Sequence, residues 1–234
     1  MNKVIDFETY LIISQQKFEI YLLDIKNFKN LFRKELNYES DSAKIDLNLL
    51  SEFLEKNIFE IEKLAGNFVN NINIIIESNS IFRLDLSVKK KNYSGNITNL
   101  FLENMLTDVY DLFQESYNEY KLMHMLINKY IIDDVSYSSF KAETNKDEIC
   151  LEIKLICISN LITSEIENIL KKYQIQVNHY FDRKYLENYS KDENLDVSHL
   201  AYKLKNGINN NEVKIDSKPQ RNIGFFEKFF QLFS

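Results

Sequence analysis

Short apolar runs separated by a tight turn predict a meander of strands near the start of the chain. The runs at 10–13 and 18–23 are separated by the tight turn Ser14-Gln15-Gln16-Lys17, and a third run covers 28–35. A helix follows, with Asp46 placed to cap its start and Gly66 to end it. Its apolar stripe is formed by Leu47, Leu50, Leu54, Ile58 and Ile61. Residues 1–70 therefore read as three strands and a helix.

A second group of elements is predicted between residues 71 and 189. The pattern indicates strands at 72–76, 81–88, 127–132, 149–158 and 175–181, and a long helix over 98–124. Ser164-x-x-Glu167 matches a capping box and opens a further helix. We expect the core of this group to contain Tyr130, Ile132, Ile153, Leu155, Ile166, Ile169 and Leu170.

The end of the chain, GFFEKFFQLFS at 224–234, has the pattern of an amphipathic helix. Eleven residues at ~1.5 Å each span roughly 16 Å, too short for ~30 Å of hydrocarbon. Such a helix lies in a membrane interface, and Lys218, Arg221 and Lys228 favour an anionic surface. The membrane-binding residues would be Phe225, Phe226, Lys228, Phe229, Phe230, Leu232 and Phe233. Packing of this helix on the protein's own core is the alternative.

Between the second group and this helix, residues 190–217 are predicted to hold one short helix and a flexible tether. The short helix is expected at 197–204, and the polar stretch 207–221 contains Gly207 and Pro219. Residues 218–234 would then form the membrane-targeting helix.

Composition narrows the class of protein. The chain has 234 residues, 44% of them hydrophobic and 27% charged, which is typical of a soluble globular protein. A net charge of −6 argues against nucleic acid as a partner. No apolar run approaches ~18 residues, and the start of the chain has acidic residues where a signal peptide needs an apolar core. We expect a cytoplasmic location.

The four glycines argue against a nucleotide site. Loops that bind phosphate need clustered glycines, so that backbone N–H groups can approach the ligand. Gly66, Gly95, Gly207 and Gly224 lie far apart in the sequence. We therefore expect no cofactor.

Spacing also argues against a metal site or a catalytic site. The chain's histidines, His124, His179 and His199, do not show the spacing of metal ligands. Cys150 and Cys157 fall in one strand at an odd separation, which puts them on opposite faces. The neighbouring carboxylates at 133 and 134 would also point to opposite faces if they lie in a strand. We predict neither metal nor catalytic residues.

One stretch resembles a known family. The sequence HMLINKYIID at 124–133 resembles the "H-V-I-P-x-x-Y-x-I-D" strand of the bacterial actin-like cell-division protein FtsA. It keeps His124, Tyr130, Ile132 and Asp133, whereas Ile127 stands at the family's proline. The strand, capped helix and strand over 149–177 are similar to those that close the FtsA insertion subdomain, and the last helix is similar to the family's membrane-targeting sequence.

The resemblance implies an α+β fold with the parts of FtsA in order. Residues 1–70 would be a truncated actin-like half-subdomain, and residues 71–189 the strand-helix-strand-strand insertion (1C-like) module. The turn Ser14-Gln15-Gln16-Lys17 lacks the glycine and the acidic residue of the family's first phosphate hairpin. The family's second phosphate loop and second lobe have no counterpart in the sequence. A pseudo-ATPase that is not an enzyme is expected.

The function implied by the resemblance is a non-catalytic adaptor of bacterial cell division. It would tether division-machinery proteins to the inner face of the cytoplasmic membrane, through anionic lipid and with possible self-association. The alternative is a soluble scaffold of pilus or secretion assembly whose C-terminal helix binds a protein groove. A third class, a small-ligand or nucleotide-binding protein, would need a deep polar pocket that the composition does not predict.

Overall fold

The computed structural model describes residues 7–39, 44–93, 96–140, 143–144, 146, 148–189 and 195–214. The strands are β1 Phe7–Ile13, β2 Lys17–Asp24, β3 Lys29–Asn37, β4 Asn71–Ile76, β5 Phe82–Lys91, β6 Asn96–Ile97, β7 Tyr120–Ile132, β8 Val135–Tyr137, β9 Glu143–Thr144, β10 Glu148–Ser159 and β11 Gln176–Asp182. The helices are α1 Leu47–Ala65, α2 Asn99–Ser116, α3 Asn160–Lys171, α4 Arg183–Tyr189 and α5 Val197–Lys205. The expected α+β fold class is confirmed.

The first sheet has five strands in the order β11-β4-β1-β2-β3. β1, β2 and β3 form the expected antiparallel meander, whereas β4 pairs parallel to β1 and β11 parallel to β4. Helices cover both faces of this sheet, which explains why its central strands are buried along almost their whole length. One face packs against α1 and α3, and the other against α4 and α5.

The second sheet has four antiparallel strands in the order β5-β10-β7-β8. It is inserted in the chain between β4 and α3. Helix α2 covers one of its faces through Met105, Leu106, Val109 and Phe113. The short strands β6 and β9 pair with each other beside it.

Local end signals place α1 where the sequence predicts it. The Asp46 carboxylate accepts hydrogen bonds from the backbone N–H groups of Asn48 and Leu49, and Gly66 ends the helix with φ +67°. A left-handed residue at this position favours glycine, which has no Cβ to strain the backbone.

The observed strand pairing divides the second group of elements differently from the division that the sequence predicted. We expected β4, α3 and β11 to belong to the insertion, but β4 and β11 complete the first sheet. The expected core is divided accordingly. Ile166, Ile169 and Leu170 lie in the core under α1, while Tyr130, Ile132, Ile153 and Leu155 lie in the core under α2. Burial on both faces of a parallel sheet gives continuous apolar runs, which do not reveal the partner strand.

Two helix boundaries also differ from the sequence prediction. Helix α2 ends at Ser116 and not near residue 124, because the chain turns and β7 begins at Tyr120. Helix α3 begins at Asn160, with the Ser159 hydroxyl accepting a hydrogen bond from the Leu161 N–H. The capping box at Ser164 was therefore wrong, and that serine lies inside the helix.

Candidate functional site: a polar cleft at the ends of the parallel strands

The carboxyl ends of β1, β4 and β11 lie side by side at one end of the first sheet, because the three strands are parallel. Ligands of parallel sheets bind at such ends. A cleft of about 690 Å³ opens there, lined by Ser14, Gln15, Gln16, Lys17, Asn37, Glu77, Ser78, Asn79, Arg83, Asp182, Arg183, Lys184 and Glu187. The composition did not predict this polar cleft, since residues far apart in the sequence build it.

The turn between β1 and β2 forms one wall and is closed on itself. The Ser14 N–H donates to the Lys17 carbonyl at 3.0 Å. The Ser14 hydroxyl accepts from the N–H groups of Lys17 at 2.9 Å and Gln16 at 3.4 Å. Tyr38 adds a hydrogen bond from its hydroxyl to the Ser14 carbonyl at 2.8 Å. These three backbone donors are satisfied within the turn, so they do not point at a ligand.

The charged side chains of the cleft are largely paired with one another. Arg183 lies 3.1 Å from Glu77 and 2.8 Å from Glu187, and its guanidinium is 3.9 Å from Glu19. Asp182 is 1% exposed and forms an ion pair with Arg83 at the start of β5. Arg83 and Arg183, which could attract a phosphate, therefore already face carboxylates.

Glu19 is a buried carboxylate behind this wall. Burial acts to raise its pKa, but hydrogen bonds from Lys17 and Tyr21 and the charges of Lys17 and Arg183 outweigh burial, so the pKa is lowered. Lys17 lies 2.6 Å from its carboxylate, and Arg33 lies 3.3 Å away. Glu19 stays ionised and holds the cations at the back of the cleft.

His124 connects the cleft to the second sheet. It is 2% exposed, and its Nε2 accepts a hydrogen bond from the Asp182 N–H at 3.1 Å. Because that nitrogen is an acceptor, the ring proton is on Nδ1, which donates to Glu212 at 2.7 Å. The imidazole is thus a neutral structural link between β7, β11 and the end of the described chain.

Residues 211–213 lie along β7, whereas the sequence predicted the flexible tether from residue 207. The Ile127 N–H donates to the Asn211 carbonyl at 2.8 Å, and the Val213 N–H donates to the Met125 carbonyl at 2.9 Å. The Tyr185 hydroxyl donates to the second oxygen of Glu212 at 3.1 Å. We call residues 209–213 the latch, because these bonds attach them to the inserted sheet.

The residues of the FtsA-like stretch are only partly brought together. His124 and Tyr130 both lie beside the latch, the Tyr130 hydroxyl being 3.5 Å from Asn211. Asp133 and Asp134 form the turn between β7 and β8 with φ of +45° and +65°, and do not continue a strand as assumed. Asp133 lies 3.1 Å from Lys146, so its carboxylate is part of an ion pair.

The seven residues expected to bind a membrane, Phe225, Phe226, Lys228, Phe229, Phe230, Leu232 and Phe233, lie outside the described residues. Sequence reasoning missed the cleft residues instead. The available signal was an acidic residue at the end of an apolar run, at Glu77 and Asp182. That signal becomes informative only once β4 and β11 are known to be neighbours.

Within the described ranges, no three His, Cys, Asp or Glu side chains are grouped as metal ligands. The two cysteines lie on opposite faces of β10 as expected, and burial raises the pKa of the Cys157 thiol to about 12. Such a thiol remains protonated and unreactive at neutral pH.

No protein-family model matches the sequence. No curated protein sequence matches it either. None of the helices in the described part of the chain has both the length and the apolar character needed to cross a bilayer.

Solved structures show a partial similarity. The PilM-PilN type IV pilus biogenesis complex aligns with 7% identity and a TM-score of 0.46, over 78% of this chain and 49% of that one. The cytoplasmic domain of EpsL, an inner membrane component of the type II secretion system of Vibrio cholerae, aligns with 10% identity and a TM-score of 0.39, over 77% and 57%. A protein of unknown function with an actin-like ATPase fold from Bacteroides thetaiotaomicron aligns with 14% identity and a TM-score of 0.32, over 80% and 56%.

The chain thus spans about half the length of these structures. Their descriptions name an actin-like ATPase fold, a pilus complex and a secretion system. The specific resemblance to FtsA stays a prediction from the sequence.

Proposed function

We propose that this chain is a non-catalytic scaffold module that binds other proteins of a larger assembly. The observation that carries the proposal is the internal pairing of the cleft. Arg183 faces three carboxylates, Arg83 faces Asp182, and the backbone donors around Ser14 are used within their own turn. A nucleotide would have to displace these partners and would gain no glycine-rich loop in return.

Two settings suit such a scaffold. The residues that resemble FtsA favour a cell-division adaptor. Pilus or secretion assembly is the other, and proteins of that class are among the similar structures. We take pilus or secretion assembly as the first setting to test. Purification of the tagged chain from its own cells, with division proteins and pilus or secretion proteins each probed in the eluate, distinguishes the two.

Titration with Mg·ATP tests the absence of nucleotide binding. We expect no heat of binding up to millimolar nucleotide. The matched variant is Arg183→Ala, which frees Glu77 and Glu187 and makes the cleft more acidic, so it should also show none. Micromolar affinity of the natural chain for Mg·ATP would overturn the non-catalytic assignment.

Membrane attachment through the aromatic residues between 225 and 233 is a further part of the proposal. It is supported by the helical spacing of these residues in the sequence. Sedimentation with anionic liposomes compares the intact chain with one ending at Lys218. Equal sedimentation of both would exclude the membrane role and leave binding to a protein groove.

A further inference from the structure

Strand β5 is the outer strand of the inserted sheet. It pairs over ten residues with β10 on one side, and in the described part of the chain no strand pairs with its other side. Alternate residues of an antiparallel strand direct both N–H and C=O to the same side, so about five residues of β5 direct these groups outward. Such an edge can pair with an extended segment of another protein.

The side chains of β5 alternate in the way that such pairing requires. Phe82, Leu84, Leu86 and Val88 are half-buried on the face covered by α2, and the residues between them are exposed. A fully paired central strand would bury the apolar set, as β10 does. The apolar face of the sheet therefore continues to the open edge.

Helix α2 adds a wall above this edge. Lys90 of β5 lies 2.6 Å from Asp108 and 5.7 Å from the ring centroid of Phe101, and the rings of Phe82 and Tyr117 are 5.5 Å apart. The helix thus runs antiparallel to β5, with Asp108 on the side of the open strand. One helical turn later, on the same side as Asp108, Leu112 is 63% exposed. Its position between the two contacts puts it above the middle of β5.

Charges at the end of β5 indicate the chemistry of the occupant. Asp85 is 3.5 Å from Lys154, and Lys89 is paired with Glu148, so these charges are neutralised within the sheet. Lys91, the last residue of the strand, is exposed and has no acidic partner among the described residues. An acidic residue at the end of an added strand would meet this lysine.

We propose that the outer edge of β5 binds an extended segment of a partner protein, which pairs with it as an additional strand. The segment has apolar residues at alternate positions, which contact Leu112 and the apolar face of β5, and an acidic residue opposite Lys91. The inference rests on the proposed scaffold function, and it specifies the surface that holds the partner.

The probe is a synthetic peptide, acetyl-EVTVTLTVTE-amide, with its isomer acetyl-ETTVVLVTTE-amide as control. The isomer has the same composition and charge, but its apolar residues are contiguous and cannot share one face of a strand. Amide hydrogen exchange of the full chain is measured with each peptide. We expect the alternating peptide, and not the isomer, to slow exchange in β5 while leaving β2 unchanged.

Two leucine variants locate the site. Leu112→Asp should weaken binding of the alternating peptide about tenfold, since the apolar contact of a leucine is replaced by a charge. The Leu161→Asp chain should bind the peptide as tightly as the natural chain does. Leu161 is 69% exposed, and it lies on α3, which packs against the first sheet and not against the sheet that contains β5. Both leucines are exposed, so both variants are expected to fold.

The proposal would be overturned if both peptides slowed amide exchange in β5 equally. It would also be overturned if the Leu112→Asp chain bound the alternating peptide as tightly as the natural chain does. Slow exchange of the outward β5 amides in the free full chain would overturn it as well, since it would mean that the chain itself covers this edge. A concentration-dependent dimer that Leu112→Asp abolishes would assign the edge to a second copy and exclude a different partner. None of these results depends on nucleotide or lipid, so the scaffold proposal is tested separately.

Discussion

Glu212 is the residue whose replacement tests the latch most directly. Its carboxylate accepts hydrogen bonds from His124 at 2.7 Å and from Tyr185 at 3.1 Å. The side chains of His124 and Glu212 are 1% and 16% exposed. Glu212→Ala removes the acceptor and leaves a buried imidazole N–H without a partner.

The cost follows from the desolvation of these donors. A buried donor left unsatisfied costs about 1–3 kcal/mol. The His124 N–H bears this cost in full, while the Tyr185 hydroxyl still accepts from Asn209 at 2.7 Å and bears only part of it. We expect Glu212→Ala to make closure of the latch less favourable by about 2–4 kcal/mol. Glu212→Gln keeps one acceptor oxygen and should cost less than half as much.

Hydrogen exchange reports this local opening apart from global unfolding. The amides of Ile127 and Val213 bond across the latch, so their exchange should become at least ~30-fold faster in Glu212→Ala, a factor that corresponds to ~2 kcal/mol. Amides within β1 should keep their rates. If Ile127 and Val213 exchange as slowly in Glu212→Ala as in the natural chain, the carboxylate does not hold the latch and the reasoning fails.

Three further predictions concern other parts of the chain. Leu170→Ala should cost ~2–5 kcal/mol of unfolding free energy, since this side chain is fully buried under α1; an unchanged denaturation midpoint would contradict its burial. Glu19→Gln should destabilise the chain above pH 5, because the lowered pKa of Glu19 contributes stability above its ordinary value near 4.5, and the difference from the natural chain should shrink as pH falls below that value. A constant difference from pH 7 to pH 3 would exclude this carboxylate as its source. Phe229→Glu should abolish sedimentation with anionic liposomes, whereas Lys228→Gln should only weaken it, most at low salt. Sedimentation of the Phe229→Glu chain equal to that of the natural chain would mean that residues 224–234 are not the anchor.

Membrane attachment of a single copy is expected to be weak. Burial of the six large apolar side chains predicted at 225–233 would contribute up to roughly 9–18 kcal/mol, at ~1.5–3 each. Ordering eleven backbone residues costs roughly 11–22 kcal/mol, at ~1–2 each. Because these terms nearly cancel, stable attachment requires linked copies or docking on an assembled partner, which raises the effective concentration.

Sequence by itself determined the elements whose signals are local. Asp46 and Gly66 bound α1 because capping and a left-handed end depend on a few adjacent residues. Short apolar runs next to a tight turn predicted the strands of the meander. The odd separation of Cys150 and Cys157 predicted their opposite faces, since the side-chain period of a strand is independent of its partner.

Tertiary structure alone decided which strands meet. β4 and β11 join the first sheet, although about 100 residues separate them in the chain, because burial on both faces is satisfied only between the two helix layers. That pairing brings Glu77 and Asp182 to the same edge and creates the cleft. The latch is decided in the same way, since the buried nitrogens of His124 need partners that only β11 and Glu212 supply.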